Sequence, residues 1–429
     1  MKKIGFWSAI ALVIGNMIGS GVFLLPTTLA PYGKYAYLAW TFAAIGAVLL
    51  ALVFGELANL APKAKAGPYG YSKMGLGRFP GFLVAWGYWI SIWCTNAAIA
   101  VALIGYLEVF FPILGDNKLA SISVGLFAIW SLTYLNTKSI QAVSFFQIIT
   151  TVLKLSPVLL LGMVGIFYFK GEQTLYEPEI VGTSWRLITD ATCLTFFAFL
   201  GMESASVASN QTHNAKSTVK KATIWGTLIT GLAYLLSYVV IAQSIPPEEL
   251  IHSTAPFADT AGALWGETAR YIVAGGAVIA TLGALNGWLL IQGQVPLAAA
   301  QDKLFPKIFE KTNKHSAPYI GMILSSLLVS GLMLLNYSKS LVQAFTFMMK
   351  LSTLSVLTPY LFSSAVLALL AYRKNLKNKK RIISLSCAAF IFSIWMVIGS
   401  GQEIVFWGFL LLMVGLPVYI YLEKDNDYE

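Results

Sequence analysis

Apolar stretches in or above the roughly 17–25-residue range that crosses a bilayer follow one another along the chain. They lie at 6–30, 36–61, 80–111, 119–136, 140–168, 187–210, 219–244, 269–300, 319–336, 343–372, 382–399 and 403–422, with most charged residues between them. The pattern predicts an all-α polytopic membrane protein of twelve transmembrane helices, a single domain over 1–429. The first stretch is interrupted halfway by Gly15-Asn16-Met17-Ile18-Gly19-Ser20-Gly21. Three glycines and an asparagine in seven residues do not sustain a helix interior, and backbone groups freed at mid-membrane depth must face protein or a water-filled cavity. Two readings follow: a broken helix lining a substrate site, or a glycine-rich crossing where two helices touch.

Composition sharpens the first picture. The chain is 57% hydrophobic and 11% charged, with mean hydropathy +0.71, far from the ~25% charged residues of soluble domains. The first stretch is too long for a cleavable signal and no small-residue cleavage site follows it, so it is expected to remain as a span. With the N-terminus placed in the cytoplasm, 21 of the 29 basic residues fall in inner segments, six in outer loops and two within spans. That asymmetry predicts a multi-pass protein with an even number of spans and both termini cytoplasmic. The net charge of +10 then reports topology and contact with the lipid bilayer rather than nucleic acid. Cys94, Cys193 and Cys387 fall inside spans without metal or disulfide spacing and are expected as buried small hydrophobes. No Walker motif, phosphate loop or zinc spacing occurs. No cofactor and no metal are expected.

The two basic residues within spans are Lys154 and Lys350. Charge at that depth marks a functional site with a partner to be found, and the acidic candidates are Glu56, Asp190 and Glu203. Lys154, half-way through span five, has two readings. It either braces the carbonyls of the broken first span or, with a pKa lowered by desolvation, carries a proton during transport. A second break is expected at Gly201 in span six, which corresponds to span one if spans one to five and six to ten are inverted repeats. Amides around Met17–Gly21 would then suit a carboxylate. Carbonyls near Phe199 and Leu200 would suit an ammonium.

Four strings carry a specific resemblance: GNMIGSGVFLLP (15–26), FGELANLAPKAKAGPYGYS (54–72), GMESASVAS (201–209) and GWLLIQGQVPLAAAQDKLFP (287–306). With them the chain resembles, end to end, the amino acid–polyamine–organocation superfamily. Within it, the basic amino acid/polyamine antiporters are most similar, the arginine/agmatine exchangers above all. The resemblance implies a LeuT-type fold, a 5+5 inverted repeat over 5–372 with spans one and six broken, followed by spans eleven and twelve over 382–422. It also implies an arrangement that is often a homodimer. Carried over by position, it implies substrate carboxylate contacts at Ser20 and Gly21, with backbone groups from Met17 and Ile18 and amine contacts from the carbonyls of Phe199 and Leu200. Span three would contribute Asn96 to the substrate side chain, with Ser91, Ile92 and Ile99 on the same face. Trp288 would form an aromatic wall and Ser352 a polar contact. Tyr88, Glu203 and Tyr360 would form an inner gating layer. From spacing alone, Trp288 and Tyr88 read equally as helix packing, and Asn96 as an interhelical hydrogen bond.

Three departures bear on substrate. Phe197 replaces the tryptophan of the family's outer gate, keeping a face for cation–π contact but losing an N–H donor. Lys154 stands where the arginine/agmatine exchangers carry an apolar residue. Lys350 lies two residues before Ser352 and would repel a basic side chain. The expectation is a secondary amino acid transporter, not an enzyme, exchanging a cationic amino acid for a related amino acid or amine. The alternatives are proton-coupled uptake through Lys154 and a non-transporting nutrient sensor on the same fold; the short tail Glu423–Glu429 disfavours the sensor.

Overall fold

The computed structural model describes residues 5–19, 21–61, 67–138, 155–168, 176–204, 215–336 and 338–424, the side chains of 215–217 excepted. The first span is two helices, α1 (Phe6–Met17) and α2 (Gly21–Leu29). They meet at 46°, so the glycine cluster does interrupt the helix. Then come α3 (Tyr35–Leu60), the short α4 (Pro68–Leu76), α5 (Arg78–Glu108) and α6 (Lys118–Lys138). The described part of span five is α7 (Leu155–Phe167), which passes through a π turn at Leu160–Val164. After it come α8 (Ser184–Phe196), α9 (Ala215–Ser244), α10 (Pro256–Trp265), α11 (Glu267–Gln301) and α12 (Tyr319–Leu335). The chain closes with α13 (Leu341–Arg373), α14 (Lys379–Ser400), α15 (Gln402–Met413) and α16 (Gly415–Lys424).

The protein is all-α and polytopic. Among the described residues eight helices are long and apolar enough to cross a membrane, nine when the bent first pair counts as one span. The described ends lie within about four residues of the expected ones, with one exception. Span six, expected as a stretch over 187–210, stops being α-helical at Phe196 and continues as a 3-10 turn, Phe197–Phe199. Cys94 and Cys193 are buried as expected, but Cys387 is exposed, because α14 packs only one side against the bundle.

Helix α5 runs through the middle. Its candidate spanning window is 94% buried, which explains why its sequence is apolar or small on every face rather than amphipathic. It packs against α11 and α13, while α3 packs on α8 and α9. Polar bonds fix the two ends of the bundle. On the face that holds the chain termini, Arg78 pairs with Glu423 at 3.1 Å and Lys220 with Glu56 at 2.5 Å. Lys374 donates to the Leu60 carbonyl at 2.6 Å there, and Lys73 to that of Asp302 at 2.9 Å. On the opposite face Arg270 pairs with Asp259 at 3.1 Å, and the Thr27 hydroxyl donates to the Ser253 carbonyl at 2.8 Å.

Candidate functional site

The site forms where the two interrupted spans cross. At the end of α1 the Ile18 amide donates to the Ile14 carbonyl at 2.8 Å and the Gly19 amide turns back onto Met17 at 2.8 Å; α2 restarts at Gly21. In span six, Leu200 is extended (φ −62°, ψ 140°) and Gly201 adopts φ +97°. A β-carbon at Gly201 would lie 2.9 Å from the Asn16 carbonyl oxygen. The two breaks are therefore in direct backbone contact, and only glycine permits both that conformation and that approach.

Around this crossing lies a cavity of about 20 Å³ lined by Asn16, Met17, Gly19, Gly21, Thr95, Ile99, Phe197, Leu200 and Trp288. It is little larger than one water needs. On the side away from the termini it is capped by Phe197, whose ring lies edge-on to Phe345 at 6.3 Å and against Gly21, where a β-carbon would come within 2.8 Å of it. Toward the termini a second cavity of about 310 Å³ opens, lined among others by Asn16, Tyr69, Tyr88, Gly201, Ser204 and Trp288. Asn16 and Trp288 belong to both. Tyr69, outside the spans, keeps its hydroxyl proton, because burial first and then the Asp302 carboxylate raise its pKa.

Of the expected binding residues, Met17, Gly21, Ile99, Phe197, Leu200 and Trp288 line the central cavity. Ser20 and Lys154 lie outside the described residues. Ile18, Ile92 and Phe199 are buried but do not line it, and the Phe199 ring packs on Trp40 and Tyr234. The Phe199 carbonyl already accepts from the Met202 amide at 3.3 Å. Ser91 and Ser352 are one step back. Ser352 donates to the Ser91 carbonyl at 2.9 Å and shares a 2.7 Å hydrogen bond with Thr95. Asn96 turns away: its amide donates to Gln292 Oε1 at 2.7 Å, and Gln292 donates to Ser326 Oγ at 2.8 Å and to the Met322 carbonyl at 3.1 Å. Thr95, which sequence reasoning missed, takes the place beside the cavity. It lies four residues after Ser91 and four before Ile99, a stripe that helical spacing alone would have exposed.

Tyr88, Glu203 and Tyr360 do come together. Glu203 is fully buried, and its two carboxylate oxygens accept from the Tyr88 and Tyr360 hydroxyls, each at 2.9 Å. The Gly201 amide donates to the same group at 3.2 Å. Lys350 lines neither cavity and interacts electrostatically with Asp190, itself 3.8 Å from Arg186. The third acidic candidate, Glu56, is taken by Lys220.

The central cavity thus has no titratable side chain in its described lining. Its electrostatics come from the backbone: α1 ends there with its negative pole and α2 begins there with its positive pole. A group bearing both an ammonium and a carboxylate matches those two poles. Residues 4–423 match the family model described as amino acid permease. The chain belongs to the amino acid permease family. This places the permease in the amino acid–polyamine–organocation superfamily whose motifs it carries, among transporters rather than enzymes. The permease is 33% identical to a Bacillus subtilis protein provisionally named as an arginine/ornithine antiporter, over 100% of this chain and 98% of that one. It is 30% identical to a putrescine transporter of Haemophilus influenzae, over 99% of this chain and 98% of the other. With an arginine/agmatine antiporter of Chlamydia felis the identity is 31%, over 99% and 91%.

Proposed function

We propose that this permease is a secondary transporter of the bacterial inner membrane that exchanges a cationic amino acid for a related amino acid or amine by alternating access. Both termini are cytoplasmic in this reading, and of twelve spans the first ten form two inverted five-helix repeats. The observation that carries it is the crossing of two broken spans, Gly201 on Asn16, over a cavity bounded by backbone poles and two aromatic rings. The relatives named as arginine/ornithine, arginine/agmatine and putrescine carriers support the substrate class. The gathering of basic residues on the termini face supports the orientation.

The α-carboxylate binds at the first turn of α2 and the α-ammonium at the carbonyl ends of α1 and of the Phe197–Leu200 turn. Phe197 closes the outer side, and Trp288 separates the bound group from the wider inner cavity. Ser91 and Ser352 act by holding Thr95, and Asn96 acts through Gln292, one helical turn beyond Trp288. Tyr88, Glu203 and Tyr360 hold the inner half of span six against spans three and ten.

The test is uptake of labelled arginine into liposomes containing the purified protein, loaded with arginine, ornithine, agmatine, putrescine or buffer. Exchange requires that uptake appear only with a counter-substrate inside. Accumulation into buffer-loaded vesicles under an acid-outside gradient, lost in Lys154→Ala, would replace exchange with proton-coupled uptake. No uptake of any amino acid or amine would overturn both.

A further inference from the structure

A third cavity, of about 330 Å³, lies on the face opposite the termini between α5, α6, α12, the start of α13 and the 251–254 segment. It shares no lining residue with the two cavities described above. Its volume is at the lower bound of ligand-binding pockets. Its chemistry is mixed in sign. Glu108, the last residue of α5, contributes a half-buried carboxylate that hydrogen-bonds the Thr254 hydroxyl and whose Oε2 is buried without a hydrogen-bond partner. Lys118 and Lys339 also line it. Lys118 donates one hydrogen bond, to the Ser338 carbonyl at 2.8 Å, and a lysine has three donors, so its ammonium can still bind an anion. The Lys339 ammonium instead lies 4.0 Å from the centroid of the Phe347 ring, in the wall of a neighbouring cavity. The third wall is apolar, from Val101, Ile104 and Met348.

A β-carbon at Gly115 would collide with Glu108 Oε1, so an added methyl there would turn the carboxylate aside.

We propose that this cavity is a peripheral binding site for a free α-amino acid, whose ammonium is taken by Glu108 and whose carboxylate is taken by Lys118. The choice of an amino acid rests on the exchanger reading above, under which this face is external. A buried carboxylate oxygen without a donor is costly, and an ammonium supplies the missing hydrogen bond. Helices α5 and α13, which form much of the wall, also carry Thr95, beside the central cavity, and Ser352, hydrogen-bonded to it.

The experiment is equilibrium binding of labelled arginine, and separately of labelled ornithine, to the purified protein in lipid nanodiscs. Wild type should bind two molecules per chain. Glu108→Gln should weaken one site about tenfold or more, the effect of losing a charge-assisted hydrogen bond, and leave the other unchanged. Gly115→Ala, which keeps every charge but displaces the carboxylate, should do the same and decides the matter alone if Glu108→Gln does not fold. Trp288→Leu should weaken only the other site. A single site in wild type, weakened by Trp288→Leu and indifferent to Glu108→Gln and Gly115→Ala, overturns this inference and leaves the exchanger reading standing. Absence of binding by either amino acid to wild type overturns both.

Discussion

Replacing Gly201 by alanine tests the core of the site with a single methyl group. At φ +97° an L-residue carries about 1–3 kcal/mol of backbone strain. The new β-carbon would also lie 2.9 Å from the Asn16 carbonyl oxygen and 3.0 Å from its carbon, backbone atoms that can yield only if the last turn of α1 retreats. If that strain falls on the conformation in which the two breaks touch, 1–3 kcal/mol corresponds to a loss of roughly 5–150-fold in its population. Counter-substrate uptake in liposomes should fall by a similar factor. Gly401→Ala is the control. Gly401 has φ +86° but nothing within 4 Å of its β-carbon position, so it pairs the strain with no collision, and should lower the unfolding temperature without slowing transport. Wild-type transport by Gly201→Ala, or equal slowing by Gly401→Ala, would refute the assignment of the crossing to the transport cycle.

Gly21→Ala should impair uptake, since its methyl meets the Phe197 ring at 2.8 Å, whereas Gly19→Ala, with its nearest atom 3.7 Å away, should be tolerated; equal rates in the two would remove Phe197 as a close-fitting cap. Trp288→Leu should weaken binding of a cationic substrate by roughly 1–2 kcal/mol, read by equilibrium binding, and unchanged affinity would leave this ring a packing role only. Tyr88→Phe and Tyr360→Phe each remove a donor from the buried Glu203 carboxylate and should destabilise the protein by about 1–3 kcal/mol. A thermal unfolding midpoint unmoved in both would show that Glu203 does not depend on them. A reporter fused after Arg381 should be cytoplasmic and one near Glu249 external; the reverse at either overturns the orientation.

The break in span one was legible because glycine and asparagine oppose a helix through their own backbone preferences, whatever surrounds them. The break in span six was less so, since only Gly201 marks it and the extended Leu200 depends on tertiary contact. Glu203 could be seen as a buried acid, but its two tyrosine donors lie 115 and 157 residues away in sequence, and pairing at that distance leaves no local trace. Asn96 and Thr95 show the same limit at one residue's scale. Adjacent positions on a helix point about 100° apart, and which of them faces the cavity is decided by Gln292, the amide across the helix boundary that accepts from the Asn96 side chain. Lys350 read as a charge beside the binding site because sequence distance to Ser352 was short, whereas its electrostatic partner is on another helix.

Trp288 is a wall held in common by two chambers. A partition of this kind ties selectivity to tightness. Trimming it to admit a bulkier passenger also widens the passage behind, so variants with a broader substrate range should hold their cargo less firmly against escape toward the termini. Under the exchanger reading, substitutions at Thr95 or Ile99, which border the central chamber alone, should retune specificity with less loss of tightness than substitutions of the indole.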